Sequence, residues 1–252
     1  MKICVLASGS TGNCTYIETK KYKILIDLGK SKKYITNALK EINVNYKEID
    51  FVLLTHTHDD HISAVNSLLN KHNASLVISN KMSKDLFLKE DVNVLIYDKE
   101  IEIDGLNIKS ISLSHDVTDI RGFVIQEDDK SVVLITDTGY LNHKYFDILK
   151  DKNIYLMESN HDVEMLINGP YPDFLKKRVA SDKGHLSNEF AGIYLSKLVG
   201  NNTKEVHLLH LSEKNNEPKK AMSTVKHYLK EANYKGILSY SKPDEISKVI
   251  EL

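Results

Sequence analysis

Hydrophobic positions fall along the chain in short runs, and polar side chains with chemistry to offer stand repeatedly where a run stops. Residues 1–6 (MKICVL), 15–18, 23–27 (KILID), 51–54 (FVLL), 76–78, 94–97, 153–157 and 205–209 are brief apolar stretches. Runs of this length and type predict strands buried on both faces. Residues 107–113 (NIKSISL) alternate instead, which predicts a strand with one wet face. Residues 123–125 and 131–135 predict a hairpin across 127–130, and 236–240 a further strand.

Helical spacing takes over between these runs. Tyr34, Ile35, Ala38, Leu39 and Ile42 form one face of residues 31–42, and Ile62, Val65, Leu68 and Leu69 one face of 62–71. Shorter patterns predict helices over 81–88 and 243–250, and a longer one over 217–231. A helix after Gly184-His185-Leu186-Ser187-Asn188 would turn Phe190, Ala191, Tyr194, Leu195 and Leu198 inward, with Ser187 or Asn188 as its N-cap.

The run at 51–54 leads into Thr55-His56-Thr57-His58-Asp59-Asp60-His61. A lone histidine after a strand is usually a surface or capping residue. Several imidazoles and carboxylates within a few positions have no packing benefit, and they are the donors that hold Zn²⁺ or Mn²⁺. The alternation in His56-x-His58 aims two imidazoles at one point, leaving Asp60 and His61 to face a second. The pattern then recurs: His115 follows 107–113, Asp137 follows 131–135, Glu158 follows 153–157 and His210 follows 205–209. Strand ends on one rim of paired sheets converge in space. The loop Ala7-Ser8-Gly9-Ser10-Thr11-Gly12-Asn13-Cys14 is compatible with an anion cradle of backbone N–H groups or with an ordinary hairpin turn.

Composition narrows the setting. With 41% hydrophobic and 27% charged residues, 252 positions suffice for one sizeable core, and residues 1–252 are expected to form a single domain. A formal charge of −1 does not advertise a polyanion partner, so nucleic-acid binding would rest on local clusters. Two cysteines give no disulfide framework, and no apolar run approaches the ~18 residues of a membrane span. The expectation is a soluble cytoplasmic protein without a membrane partner; self-association into a homo-oligomer stays open.

His56-Thr57-His58-Asp59-Asp60-His61 resembles the HxHxDH signature of the metallo-β-lactamase superfamily. That resemblance implies an α/β fold, a four-layer αββα sandwich of two mixed sheets flanked by helices. It implies two divalent metal ions, Zn or Mn with Fe also compatible: His56, His58 and His115 on the first, Asp60, His61 and His210 on the second, Asp137 bridging. Asp27 would orient the ligating histidines from behind. Asp60, Glu158 and His185 become the catalytic residues, because nucleases of this superfamily pair a Glu with a His that protonates the leaving oxygen. Together, Ala7-Ser8-Gly9-Ser10-Thr11-Gly12-Asn13, Glu158-Ser159-Asn160-His161-Asp162, Gly169-Pro170-Tyr171-Pro172, Gly184-His185-Leu186-Ser187-Asn188 and Leu209-His210-Leu211-Ser212-Glu213-Lys214-Asn215-Asn216 resemble the YycJ/WalJ group of bacterial nucleases over nearly the whole chain.

The group implies a DNA exonuclease acting from the 5′ end, with RNA an alternative substrate. A thioester or lactone hydrolase of the same fold is the rival reading. Between Asp137 and His210 there is no room for the clamp domain that larger relatives insert. Expected substrate contacts are Ser8, Ser10, Asn13, Asn160, His161, Arg178, Ser187 and Asn188. Arg178 is preferred over the neighbouring lysines because its fork grips a phosphate with two bonds. Lys176, Lys177, Lys183, Lys214, Lys219 and Lys220 are either further phosphate contacts or a solvated face. His72, His143, His207 and His227 read as structural or surface residues, three of them within helices and His207 within a strand.

Overall fold

The computed structural model describes residues 1–70 and 72–252. Strands β1 (Lys2–Ala7), β2 (Cys14–Glu18), β3 (Lys23–Ile26), β4 (Phe51–Leu53), β5 (Ser75–Ser79) and β6 (Val94–Tyr97) belong to one sheet. The second holds β7 (Glu100–Ile103), β8 (Leu106–Ser112), β9 (Arg121–Glu127), β10 (Lys130–Ile135), β11 (Ile154–Glu158), β12 (Glu205–Leu209) and β13 (Ile237–Tyr240). Strand β14 (Ile250–Glu251) returns to the first sheet beside β1. Each sheet is mixed: β3 to β6 and β10 to β13 run parallel, the remaining pairs antiparallel.

Alternation along each strand explains the continuous apolar runs. Ile3, Val5, Ile24, Ile26 and Leu53 point between the sheets, against Phe123, Ile125, Val132, Leu134, Ile154 and Leu156. Their neighbours Cys4, Leu6, Leu25 and Val52 point outward, beneath Ile35 and Leu39 of α1 (Lys32–Glu41). Both faces of a strand are thus covered, and each fully buried Leu or Ile contributes about 1.5–3 kcal/mol. The other outer layer sets α8 (Asn188–Leu198) and α9 (Pro218–Glu231) on Val133, Ile135, Met157, Val206 and Leu208. Four αββα layers result.

Some elements differ from the periodicity. In place of one helix over 62–71 there are α2 (Asp59–Ile62) and α3 (Val65–Leu69); Lys71, its expected end, lies outside the described residues. The helix over 81–88 is one turn, α4 (Met82–Asp85). Short helices α5 (Phe146–Leu149), α6 (Val163–Asn168) and α7 (Asp173–Val179), and edge strand β7, were not expected. No helix forms over 243–250. Ser247 instead lies on the edge of β1, its N–H donating to Val5 O and its Oγ accepting from Val5 N, both at 2.9 Å, so the sheet takes polar groups a helix would use. Phe190 is 53% exposed because Ala191, Tyr194, Leu195 and Leu198 already complete the inner stripe of α8. His72 follows α3 rather than extending it, and its ring ties Tyr46 O to Ala74 N.

Parallel pairing gathers the polar strand ends on one rim. Ile26 lies opposite Leu53, so Asp27 and the 55–61 loop emerge together. Ile135 lies opposite Met157 and Glu158 opposite Leu209, so Asp137, Glu158 and His210 emerge together. Asp27, Asp137 and His210 leave their strands with φ of 62°, 54° and 54°. That left-handed turn is uncommon for residues other than glycine, and it clusters at functional sites.

Candidate metal centre

Asp27 organises the histidine loop from beneath. Its buried carboxylate accepts from Thr55 N and Thr55 Oγ1, each at 2.8 Å, and meets His61 Nδ1 at 2.8 Å. His61 Nε2 is left facing Asp60 Oδ2 at 3.5 Å and Asp137 Oδ2 at 3.3 Å. The other imidazoles are fixed in the same manner. His56 Nδ1 lies 3.0 Å from Thr55 Oγ1, His115 Nδ1 3.1 Å from Gly184 O, and His210 Nδ1 3.2 Å from Glu158 Oε1. In each case one ring nitrogen is held by a neighbouring group and the second faces the cluster, which is how proteins orient metal-ligating histidines.

The loop is also drawn against its neighbours by backbone contacts. Asn13 N donates to Asp60 O at 2.8 Å, Gly29 N to Asn13 O at 2.8 Å and Leu28 N to His61 O at 2.7 Å. A Cβ on Gly29 would lie 1.6 Å from Asp60 O, so this approach requires glycine.

Three sets of donor atoms converge: His56, His58 and His115; His56, His61 and Asp137; and Asp137, Glu158, His185 and His210. Two observations fit a cation better than a self-contained hydrogen-bonded cluster. His56 Nε2 and His58 Nδ1 face each other at 3.2 Å, and buried His210 Nε2, 3.5 Å from Asp137 Oδ1, has no hydrogen-bond partner. Electrostatics agree. Burial and the adjoining His61 hold the His56 imidazole well below its ordinary pKa, and burial lowers His115, so both offer neutral lone pairs. Burial opposes charge on His61 and His210, but the carboxylates outweigh it: Asp27 and Asp137 push His61 well up, and Asp137 with Glu158 raise His210 to about 9. Burial likewise opposes ionisation of Asp137, yet His210 and His61 hold it well below the usual carboxylate range. The cluster is therefore an anionic well lined with imidazoles, able to bind divalent metal.

Beside it stands a carboxylate and imidazole pair. Glu158, fully buried, receives His185 Nδ1 at 2.7 Å on Oε1 and accepts from Thr138 N at 2.9 Å on Oε2. His185 keeps Nε2 for other work. A cleft of about 160 Å³ opens here, lined by Ser10, Asn160, Tyr171, Arg178, His185 and Ser212 among others.

Of the expected substrate contacts, Ser10, Asn160 and Arg178 reach this cleft. Asn160 also donates to His210 O at 3.0 Å. Four others have different work. Ser8 is buried and its Oγ accepts from His210 N at 2.8 Å. Buried Asn13 is spent on Gly9, Asp60 and His61. Ser187 caps α8 by accepting from Phe190 N at 3.2 Å, and Asn188 is fully buried between Ser159 and Asn216. His161 lines a separate cleft with His185. Among the lysines, Lys176 donates to Ile167 O at 2.6 Å and Lys220 pairs with Asp162, whereas Lys214 lies over the Tyr171 ring. Asp116 went unremarked in the sequence although it adjoins His115: one oxygen lies 3.2 Å from His115 Nε2 and the other forms an ion pair with Arg178. Its adjacency to an expected ligand was the available signal.

The family model described as "Metallo-beta-lactamase superfamily" matches residues 7–155. The chain is 39% identical over 240 residues to "Exodeoxyribonuclease WalJ" of Streptococcus pneumoniae serotype 2 (strain D39 / NCTC 7466), covering 92% of this chain and 89% of that one. It is 33% identical over 236 residues to "Exodeoxyribonuclease YycJ" of Bacillus anthracis, covering 91% and 89%. Among solved structures, the metallo-beta-lactamase fold protein YhfI from Bacillus subtilis matches with a TM-score of 0.73 at 17% identity over 98% of both chains, a likeness of fold.

Proposed function

This chain belongs to the metallo-β-lactamase superfamily, and from that premise we propose that it is a metal-dependent hydrolase that shortens DNA from the 5′ end. The observation that carries the reading is the Glu158–His185 pair at the edge of the anionic well. An imidazole held by a buried carboxylate beside a metal centre is suited to proton transfer, and relatives 39% and 33% identical to this chain are named exodeoxyribonucleases.

In this proposal His56, His58 and His115 would hold one ion and Asp60, His61 and His210 a second, with the Asp137 carboxylate available to both. Zn²⁺ and Mn²⁺ suit these donors, and Fe is compatible with them. When bound, such ions supply a hydroxide nucleophile at neutral pH and neutralise charge on the phosphate under attack. The chain does the remainder. Asp27 and Thr55 keep the histidine loop from rotating. Glu158 holds the Nδ1 proton of His185, so Nε2 can deliver a proton to the departing sugar oxygen. Arg178 exchanges Asp116 for a phosphate oxygen as the strand enters, with Ser10 and Asn160 on the same wall. Residues 1–252 act as one unit without a clamp domain. No helix among the described residues is long and apolar enough to cross a membrane, and we assign the protein to the cytoplasm.

The test is cleavage of 5′- and 3′-labelled single- and double-stranded DNA and RNA with Mn²⁺ or Zn²⁺ supplied, alongside two variants. Stepwise loss of the 5′ label from DNA is expected. His58→Ala should abolish it and lower the bound metal, whereas His185→Ala should slow it roughly 10²–10⁴-fold with metal retained. Intact polynucleotides after incubation with protein holding two ions would overturn the nuclease reading, and equal metal loss in both variants would overturn the division of roles.

A further inference from the structure

A second cleft, of about 410 Å³, shares His185 with the catalytic cleft. Its wall is aromatic and apolar: Tyr140, Val163, Phe190 and Tyr194 line it, and the first three are respectively 39%, 41% and 53% exposed. Phe190 and Tyr194 stack at 6.2 Å with their planes 25° apart, and Phe146 meets Tyr194 edge-on at 6.1 Å, which braces the row from within. His161, 3% exposed, also lines the cleft, and its Nδ1 has no hydrogen-bond partner. The lining contains no Lys or Arg and does contain Asp182. Such a surface disfavours phosphate and suits a flat, uncharged ring.

We propose that this cleft receives the nucleobase of the nucleotide on the leaving side of the scissile phosphate, stacked on Phe190. The inference rests on the nuclease reading, in which His185 protonates the departing sugar oxygen. That oxygen and the base belong to the same nucleoside, so a surface sharing His185 is where this nucleoside must lie. Stacking on an aromatic face serves every base alike because each has a π-face. An enzyme that removes nucleotides one after another needs that tolerance. His161, on the lining and without a partner for Nδ1, adds a polar group beneath the seated base. Exposed Phe190 then has a reason to be where water would otherwise meet it: the substrate covers it.

The experiment uses metal-loaded protein and DNA carrying a tetrahydrofuran abasic residue at one of the first three positions from the 5′ end. For wild type, one abasic position should lower kcat/KM roughly five- to a hundred-fold, as expected for one lost stacking contact. Phe190→Ala should lower kcat/KM on intact DNA by a similar factor, and the two losses should not multiply. Phe190→Trp, which keeps a stacking face, should restore the rate, while circular dichroism checks that the folds match. Wild-type rates indifferent to every abasic position, or losses that multiply, would overturn the base cleft while leaving the nuclease intact. Absence of DNA cleavage by wild type would overturn both.

Discussion

Gly29→Ala is a small change with a large expected effect. Its φ lies outside the left-handed region, so alanine could adopt the backbone. The obstacle is steric. The new Cβ would stand 1.6 Å from Asp60 O and 2.5 Å from Asn13 N, and ordinary contact begins near 3.4 Å, so the metal loop must retreat by 1.8 Å (3.4 − 1.6). That retreat breaks the hydrogen bond from Asn13 N to Asp60 O and weakens the one from Gly29 N to Asn13 O, both 2.8 Å. Two buried polar groups left unpaired cost about 1–3 kcal/mol each, a sum of about 2–6 kcal/mol. A typical domain has about 5–15 kcal/mol in total. Asp60 and His61 move with the loop, and misplacement on the order of 1 Å costs about 10²-fold in rate. Urea denaturation and metal content measured on purified Gly29→Ala check both halves. Gly122→Ala is the comparison, a milder crowding in which the Cβ would meet Leu134 O at 3.1 Å, a few tenths of an ångström inside ordinary contact. A Gly29→Ala protein that matches Gly122→Ala in midpoint and still holds its metal would refute the reasoning.

Two further outcomes follow. Burial pushes His161 down to about 4, against roughly 6.5 in an unfolded chain. The unfolded state therefore takes up the proton first, and stability is lost as pH falls from the unfolded value towards the folded one, about 2 kcal/mol of it by pH 5. His161→Gln should lose about that much less than wild type between pH 7.5 and pH 5 in urea titrations; parallel acid sensitivity would remove His161 from the account. Burial also raises the thiols of Cys4 and Cys14, which are free and almost wholly covered. Neither should react with an aromatic disulfide reagent at pH 8 until the protein unfolds, and prompt labelling of native protein would show that β1 or β2 opens.

What could be read from the residues follows from how they are used. Ile3, Cys4, Val5 and Leu6 look uniformly apolar because they face two different cores, so the buried strands announce themselves in sequence. The metal loop is legible for a different reason: donors crowd into it with no packing role. By contrast, β7 is a four-residue edge with only two apolar side chains, too brief to stand out. The 243–250 segment has helical spacing, but the open edge of β1 competes for its backbone. Nor does residue type disclose prior engagement. Ser8 and Asn188 are of a kind that could touch a phosphate, yet in the fold they are already held by His210 and by Ser159 with Asn216. Only the folded chain reveals which polar groups remain unused.

The division of the proposed ligands between the sheets has a consequence for how the protein comes into being. His56, His58, Asp60 and His61 hang from the first sheet, whereas His115, Asp137 and His210 hang from the second, and His210 arrives only after β12. A ribosome releases these groups over more than half the length of the chain. Until β12 docks between β11 and β13, a nascent polypeptide lacks His210, the last of the proposed ligands. A fragment that stops short of β12 lacks His210, so under the proposed assignment the complete metal site belongs only to the finished sandwich.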